Sequence, residues 1–380
     1  MITLNNILVS SERKFDRIFI GIVMLLALYG SIMVFSAGYA YADVRYNDAY
    51  YFIKRQLIWI IIGIVVMLVF SRIKISILSK FTLAAYILTI ILLILTLIIG
   101  FVGNGAQRWI SIGPLTIQPS EISKLTMTMM LARYFSLNEV EACSSKDKRT
   151  ILFKGTIIPC IIMIIPIFFV MLQHHLSCII ILGAIGLLVI VVAGVNLRYI
   201  GGFVGLGALG VSYIALFTDY TKDRITVWRN PEAYKLTGGW QTLQGLMAIG
   251  SGGIFGKGLG RGELKYCYVS EPANDMIFAI LCEELGLIGA ICAMGLFSAL
   301  VVRGFTIAMK SRDTYSRLLA LGISMKIAIQ VLLNIAVVTN TIPNTGISLP
   351  FFSYGGSSLI MIFLEMGIIL SISRNSTIQK

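Results

Sequence analysis

The sequence predicts an all-α polytopic membrane protein of about ten transmembrane helices, and three observations predict it. Of its 380 residues, 57% are hydrophobic and only 13% are charged, roughly half the charge of a soluble domain. Apolar runs approaching or exceeding the ~20 residues that cross a bilayer recur along the chain. None keeps the strict period of two that a barrel strand needs, and a spanning segment must satisfy its own backbone, so the runs read as helices.

In order, the expected spans are 17–37, 56–71, 81–101, 120–137, 152–172, 175–195, 199–218, 275–302, 315–340 and 357–373. The first follows "SERKFDR" and is long enough to span, so it reads as a retained anchor and not a cleaved signal. The fifth and sixth meet at "LQHHLS", a tight turn at one surface. An even count puts both termini on one side. With that side inside, the short inner segments hold Arg13, Lys14, Arg17, Arg72, Lys74, Lys80, Arg303, Lys310 and others, against Arg45, Lys54, Arg55, Arg108 and Lys124 outside. This asymmetry predicts cytoplasmic termini in a bacterial cytoplasmic membrane. Residues 1–380 then form a single integral membrane domain, with a large extracytoplasmic loop at about 219–274 between helices seven and eight.

A net charge of +13 invites a nucleic-acid reading. The basic residues are instead scattered over short loops without interleaved aromatics, as positive-inside placement requires, so no nucleic acid is expected. The six cysteines form no CxxC and no plausible bridge, which argues against disulfides and zinc. His174 and His175 are the only histidines and lie side by side, outside any HExxH pattern, and read as an interfacial turn.

Three outer segments concentrate Gly and Pro and mark non-helical backbone: "GNGAQRWISIGPLTIQPSEISKL", "GGWQTLQGLMAIGSGGIFGKGLGRGELKY" and "NTIPNTGISLPFFSYGGSS". Within the second, "GSGGIFGKGLGRG" fits neither GxxxxGK[ST] nor a strand–GxGxxG–helix unit. It is expected to be a flexible loop in which Lys257, Arg261 and Lys265 add positive potential.

Asp275 stands at the polar-to-apolar boundary of "SEPANDMIFAILCEELG". Pro272 suits a first turn, which places Asp275 in the first turn of the eighth helix, at the outer surface. There it is either a helix-dipole acid, worth about 0.3–1 kcal/mol, or an ionised proton acceptor or cation ligand. Glu283 and Glu284 lie about 12–13 Å deeper and face different ways, and their expected partners are Lys326, or Gln330 and Asn334. Glu121 and Lys124 share a helical face after Pro119-Ser120. Arg108 and Lys124 stand outside against the positive-inside bias, where two cations suit an anionic ligand such as a pyrophosphate; a capping Glu121 and an interfacial Arg108 are the structural alternatives.

Read together, "GAQRWISIGPLTIQPSEISKL", "WQTLQGLMAIGSGGIFGKGLG", "EPANDMIFAILCEELGLIGA" and "IPNTGISLPFFSYGGSSLIM" resemble the SEDS family of bacterial cell-wall proteins. The "EPxND" form and "TGISLPFFSYGGSSL" resemble its division and sporulation branch, FtsW and SpoVE, more than the elongation branch, RodA. The resemblance implies a peptidoglycan glycosyltransferase that polymerises lipid II on the outer membrane face. It implies a class B penicillin-binding protein and other divisome proteins as partners, and a divalent cation, Mg²⁺ or Mn²⁺, as cofactor, with no organic cofactor. The family's essential aspartate maps onto Asp275, its reacting carboxylate and candidate metal ligand. Substrate-binding residues map onto Arg108, Glu121, Lys124 and the turn Ser353, Tyr354, Gly355 and Gly356, with Lys257 added from the glycine-rich loop. Two positions depart from the family: His174 stands where Pro is usual, and Met276 where Phe is common. A lipid II flippase working through Glu283, Glu284 and Lys326, and a non-catalytic division scaffold, are the competing readings.

Overall fold

The computed structural model describes residues 15–103, 106–113, 115–143, 147–195, 198, 201–202, 205, 219–266 and 268–375. Its helices are α1 (Arg17–Tyr46), α2 (Tyr51–Phe70), α3 (Ile75–Ile99), α4 (Pro119–Cys143), α5 (Ile158–Leu172), α6 (Leu176–Val192), α7 (Asp219–Arg229), α8 (Trp240–Gly252), α9 (Ile277–Met309), α10 (Thr314–Val338) and α11 (Gly356–Asn375). Among the described residues, seven helical segments are long and apolar enough to cross a membrane. They comprise α1, α2, α3, Ile151–Leu172 (which contains α5), α9, α10 and most of α11. The more polar α4 and the shorter α6 occupy the expected fourth and sixth spans. The seventh, 199–218, lies almost wholly outside the described residues.

Local chemistry explains the ends and breaks of these helices. Asp16 caps α1 by accepting from Phe19 N at 3.1 Å, satisfying a donor that helix geometry leaves orphaned. Its second oxygen accepts from Arg303 Nε at 2.8 Å, tying the start of α1 to the far half of α9. Pro159 enters α5 without an N–H, and the preceding Ile151–Ile157 is wound as a wider π-helix, with Ile158 N reaching back to Phe153 O. In α9 the helix is interrupted at Gly286, which takes φ 64 and ψ −162, a conformation that favours glycine.

The helices enclose two cores. One joins α1, α2 and α9–α11 around Phe19, Met33, Phe351, Phe352 and Phe363. The other joins α3–α6 around Leu93, Met127, Leu182 and Ile185. Helix α10 contributes to both, through Leu319 and Ile323 on one side and Val337 on the other. Outward faces stay apolar: Ile61 on α2 and Ile98 on α3 are more than 60% exposed. In water such continuous faces would associate; in a bilayer they meet lipid.

The segment expected to be irregular after α3 is a small antiparallel sheet, β1 (Phe101–Gly103), β2 (Ala106–Ile112) and β3 (Leu115–Ile117), in the order β1-β2-β3. Ile110 pairs with Ile117 and Ser111 with Thr116 around a turn in which Gly113 has φ 61. The signal was present: short β-branched runs flank a Gly-Pro pair, which is a hairpin pattern. The sheet matters because β2 carries Arg108 and Trp109, and β3 leads directly into α4.

Close backbone contact is required where α1 passes the 344–355 segment. A Cβ on Gly30 would run into the Phe351 carbonyl. Gly30→Val is expected to destabilise the fold by about 1–3 kcal/mol through overpacking, read as a lower thermal unfolding midpoint in detergent.

Candidate functional site

Seven of the nine expected site residues converge on one cavity of about 670 Å³. Its walls come from α2, the sheet, α4, the start of α6, α7, α8, the turn before α9, Gln330 of α10, and the segment between α10 and α11 with the start of α11. Arg108, Glu121, Lys124, Asp275, Tyr354, Gly355 and Gly356 all line it.

Asp275 is not in the first turn of its helix, as expected, but in the turn just before it, since α9 begins at Ile277. Glu271 supplies the reason: it takes φ 52 and its side chain accepts from Asn274 Nδ2 at 2.5 Å, which closes a turn ahead of the helix. The turn is then pinned on three sides. Asn334 Nδ2 on α10 donates to Asp275 O at 2.9 Å, Tyr354 N donates to Ala273 O at 2.8 Å, and Ser353 Oγ donates to Asn274 O at 2.7 Å. Backbone groups are therefore held by these bonds, while the carboxylate receives a hydrogen bond from Gln241 and keeps one oxygen open. Asp275 Oδ1 is buried and has no hydrogen-bond partner among the described residues. Burial, with the Glu271 carboxylate nearby, raises the Asp275 carboxyl to about 6.

Lys124 Nζ and Glu121 Oε1 form a buried ion pair at 2.6 Å. The shared face is as expected, but much of the Lys124 charge is compensated before any ligand arrives. Arg108 on β2 donates through Nη2 to His174 O at 2.8 Å. His174 has φ 53, a conformation closed to proline, so its departure from the family pattern goes with this turn. His175, expected as a bland interfacial residue, lines the cavity, with Nδ1 3.3 Å from Ser120 Oγ. Burial, then Arg108 and Lys124, push His175 down to about 3, which leaves a neutral imidazole.

Three expectations are corrected. Lys257 does not reach the cavity: it is paired with Glu283 at 3.1 Å and Glu263 at 3.5 Å. Ser353 is buried behind the wall, where its Oγ also accepts from Leu349 N at 2.7 Å, and it braces the Asp275 turn instead of facing substrate. Glu283 and Glu284 do not pair with Lys326, Gln330 or Asn334. Lys326 binds Glu365 at 2.6 Å, Gln330 donates to Ser348 O at 3.0 Å, and Asn334 holds Asp275 O and Ile347 O. The glutamates instead meet the glycine-rich loop, which is folded onto α9 and is not an open loop.

The cavity also contains residues that the sequence did not single out. Arg55 and Trp59 on α2, Arg224 on α7, Gln241 on α8 and Glu271 complete its polar lining. Arg55 stacks on the Tyr51 ring at 4.2 Å, and Arg224 donates to the Asn344 carbonyl. Arg55 carried the same signal as Arg108, a basic residue outside against the charge bias. Arg224 had none, because long loops are exempt from that bias.

Among the described residues there is no cluster of three or more His, Cys, Asp or Glu able to hold a metal. Asp275 Oδ1, Asn274 Oδ1 and Thr345 Oγ1 are nevertheless buried oxygens without partners among those residues, and all three side chains border the cavity. Such hard oxygen donors fit a cation that takes one or two protein carboxylates and completes its shell with phosphate and water, as Mg²⁺ does.

Residues 16–378 match the profile of the cell cycle protein family FtsW/RodA/SpoVE. The chain belongs to this family. Stage V sporulation protein E of Bacillus subtilis (strain 168) is 39% identical over 95% of this chain and 97% of its own length. A probable peptidoglycan glycosyltransferase FtsW of Trichlorobacter lovleyi is 36% identical over 95% and 93%. Two solved structures share the FtsW/RodA/SpoVE fold, each at 23% identity. One, from a peptidoglycan synthase complex, has a TM-score of 0.78 and covers 96% of this chain and 99% of its own. The other, rod shape determining protein RodA of Thermus thermophilus, has a TM-score of 0.71 and covers 97% and 100%. The chain is thus a multi-pass membrane protein of this family.

The Glu121–Lys124 pair yields a direct test. Glu121→Gln leaves a buried cation unpaired and should destabilise by about 3–5 kcal/mol. Adding Lys124→Met should recover most of that loss, as measured by thermal unfolding in detergent.

Proposed function

We propose that this chain is a peptidoglycan glycosyltransferase that polymerises lipid II, with Asp275 as its reacting carboxylate. The carrying observation is a partner-free Asp275 oxygen recessed in a cavity that is also lined by Arg55, Arg108, Lys124 and Arg224. Family membership supplies the reaction class, and relatives carry the name peptidoglycan glycosyltransferase. The termini are cytoplasmic and the cavity opens to the outer face. A class B penicillin-binding protein transpeptidase and other divisome proteins are the partners, in division or sporulation.

The acceptor is the GlcNAc 4-hydroxyl of lipid II. The donor is the lipid-linked MurNAc at the growing end of the strand, and undecaprenyl pyrophosphate leaves. Asp275 takes the acceptor proton as the hydroxyl oxygen bonds to MurNAc C1 and the C1–O bond to pyrophosphate breaks. The basic residues stabilise charge developing on the leaving group. Arg108, Arg55 and Arg224 carry more of that task than Lys124, whose charge Glu121 already offsets. Asp275, with Asn274 and Thr345, would hold a divalent cation, which when bound adds charge neutralisation at the pyrophosphate. A leaving phosphate needs no protonation, so one carboxylate suffices where glycoside hydrolysis uses two.

The flippase reading loses its path. Glu283, Glu284 and Lys326 are buried in ion pairs and are not part of the cavity lining.

Three outcomes test the proposal with labelled lipid II in detergent, where no sidedness exists. Asp275→Asn should lower polymerisation by about 10²–10⁴-fold; wild-type rates would remove the base assignment. EDTA should suppress polymer and added Mg²⁺ or Mn²⁺ should restore it. Because a base works ionised, kcat/KM should fall about tenfold per pH unit once the Asp275 carboxyl is protonated; burial raises that carboxyl to about 6 before any cation binds, and a bound cation should move the acid limb below that pH.

A further inference from the structure

The segment "GSGGIFGKGLGRGELK" accounts for a second structural problem, the broken backbone of α9. At Gly286 the helix cannot make its own hydrogen bonds. The loop supplies them: Leu287 N donates to Gly253 O at 3.0 Å and Ile288 N to Ile254 O at 3.2 Å. In return Lys257 N donates to Glu283 O at 3.0 Å and Gly258 N to Glu284 O at 2.9 Å. The approach is close enough to demand glycine on both sides. A Cβ on Gly256 would strike the Glu284 carbonyl, and one on Gly286 would strike Gly256 N.

Side chains lock the same contact. Glu283 Oε1 accepts from Lys257 Nζ at 3.1 Å, Glu263 N at 2.9 Å and Leu264 N at 3.3 Å. Glu284 accepts from Lys265 Nζ at 2.6 Å, Gly260 N at 3.0 Å and Ser36 Oγ of α1 at 2.5 Å. Both carboxylates are fully buried. Leu264 and Glu283 are 19 residues apart, and the chain between them carries Asp275. That excursion is therefore closed at its base by the loop and pinned at its tip by Asn334, Ser353 and the Tyr354 amide.

We propose that Lys257 and Glu283 are positioning residues for Asp275: with the loop 253–264 they clamp the first turns of α9 and so fix where the carboxylate stands in the cavity. The inference rests on the reading of Asp275 as the reacting group. Neither residue lines the cavity, so an effect on turnover must pass through α9. Misplacing a reacting group by about 1 Å costs on the order of 10²-fold in rate. A clamp that loses one of its donors should therefore be visible in kcat before it is visible in folding.

The test uses the full chain in detergent. Lys257 is part-exposed, and its removal leaves Glu283 two backbone donors, so Lys257→Met should stay folded. It should lower kcat for lipid II polymerisation about ten- to a hundredfold while KM moves less than about twofold. Lys257→Arg, which keeps a cation beside Glu283, should restore kcat. Gly256→Ala, which wedges the loop from α9, should reproduce the Lys257→Met defect. Amide exchange over 270–276 should quicken in both defective variants without a general loss of helix protection. Unchanged kcat in Lys257→Met, a loss carried by KM, or failure of Lys257→Arg to rescue would each overturn the proposal. Asp275→Asn is run in parallel: if it polymerises normally, the base assignment fails. The clamp is then judged on exchange alone, with faster exchange over 270–276 supporting it and unchanged exchange overturning it.

Discussion

A charge inside a hydrocarbon layer must have a partner, and much of this molecule is arranged around that requirement. Removing one member of a buried pair costs several kcal/mol because the other is left uncompensated. Here Glu121 meets Lys124 within α4, Lys326 on α10 meets Glu365 on α11, and Glu284 on α9 meets Lys265 from the glycine-rich loop. Glu283 completes the set with Lys257. Three of these pairs join different helices or a helix to a loop, so helix placement is set by electrostatics as well as by shape. Apolar packing alone allows two lipid-soluble helices to slide; a pair with one geometry fixes their register.

The cavity sits where these constraints leave polar groups uncommitted. The Asp275 turn is held by its backbone carbonyls, through Asn334, Ser353 and the Tyr354 amide, and not by its carboxylate. That division of labour lets the Asp275 carboxylate be recessed and still keep one oxygen without a partner among the described residues. Recession raises its affinity for a proton, and the basic residues around it suit an anionic leaving group. The fixed hydrogen bonds hold this polarity in place before substrate arrives, which is the condition for electrostatic stabilisation of a transition state.

Legibility followed the range of the interaction that decided each feature. The helices from α1 to α6 and from α9 to α11 were readable because hydrophobic runs declare themselves within a window of about 20 residues. Arg108 and Lys124 were readable because they violate a charge bias that is also local, and Asp275 because it marks the polar edge of an apolar run. The β2–β3 hairpin was written in the same local code, around Gly113. The partners of Glu283 and Glu284 were not, since the loop that reaches them is polar, glycine-rich and remote from any periodic pattern. Helix-wheel reasoning pointed to Lys326, Gln330 and Asn334, and each had a different partner across the fold.

By itself the sequence determined the membrane class, the order and approximate limits of most helices, and the family, because hydropathy and long Gly-, Pro- and Trp-rich motifs are properties of contiguous residues. Tertiary structure alone decided that Lys257 pairs with Glu283 and Ser353 holds the Asp275 turn, that His175, Arg224 and Glu271 line the cavity, and that a loop expected to be flexible bonds across a broken helix. Those outcomes depend on which groups meet across tens to hundreds of residues. In an apolar medium that choice is made by the best simultaneous pairing of all buried polar groups, and no local pattern encodes it.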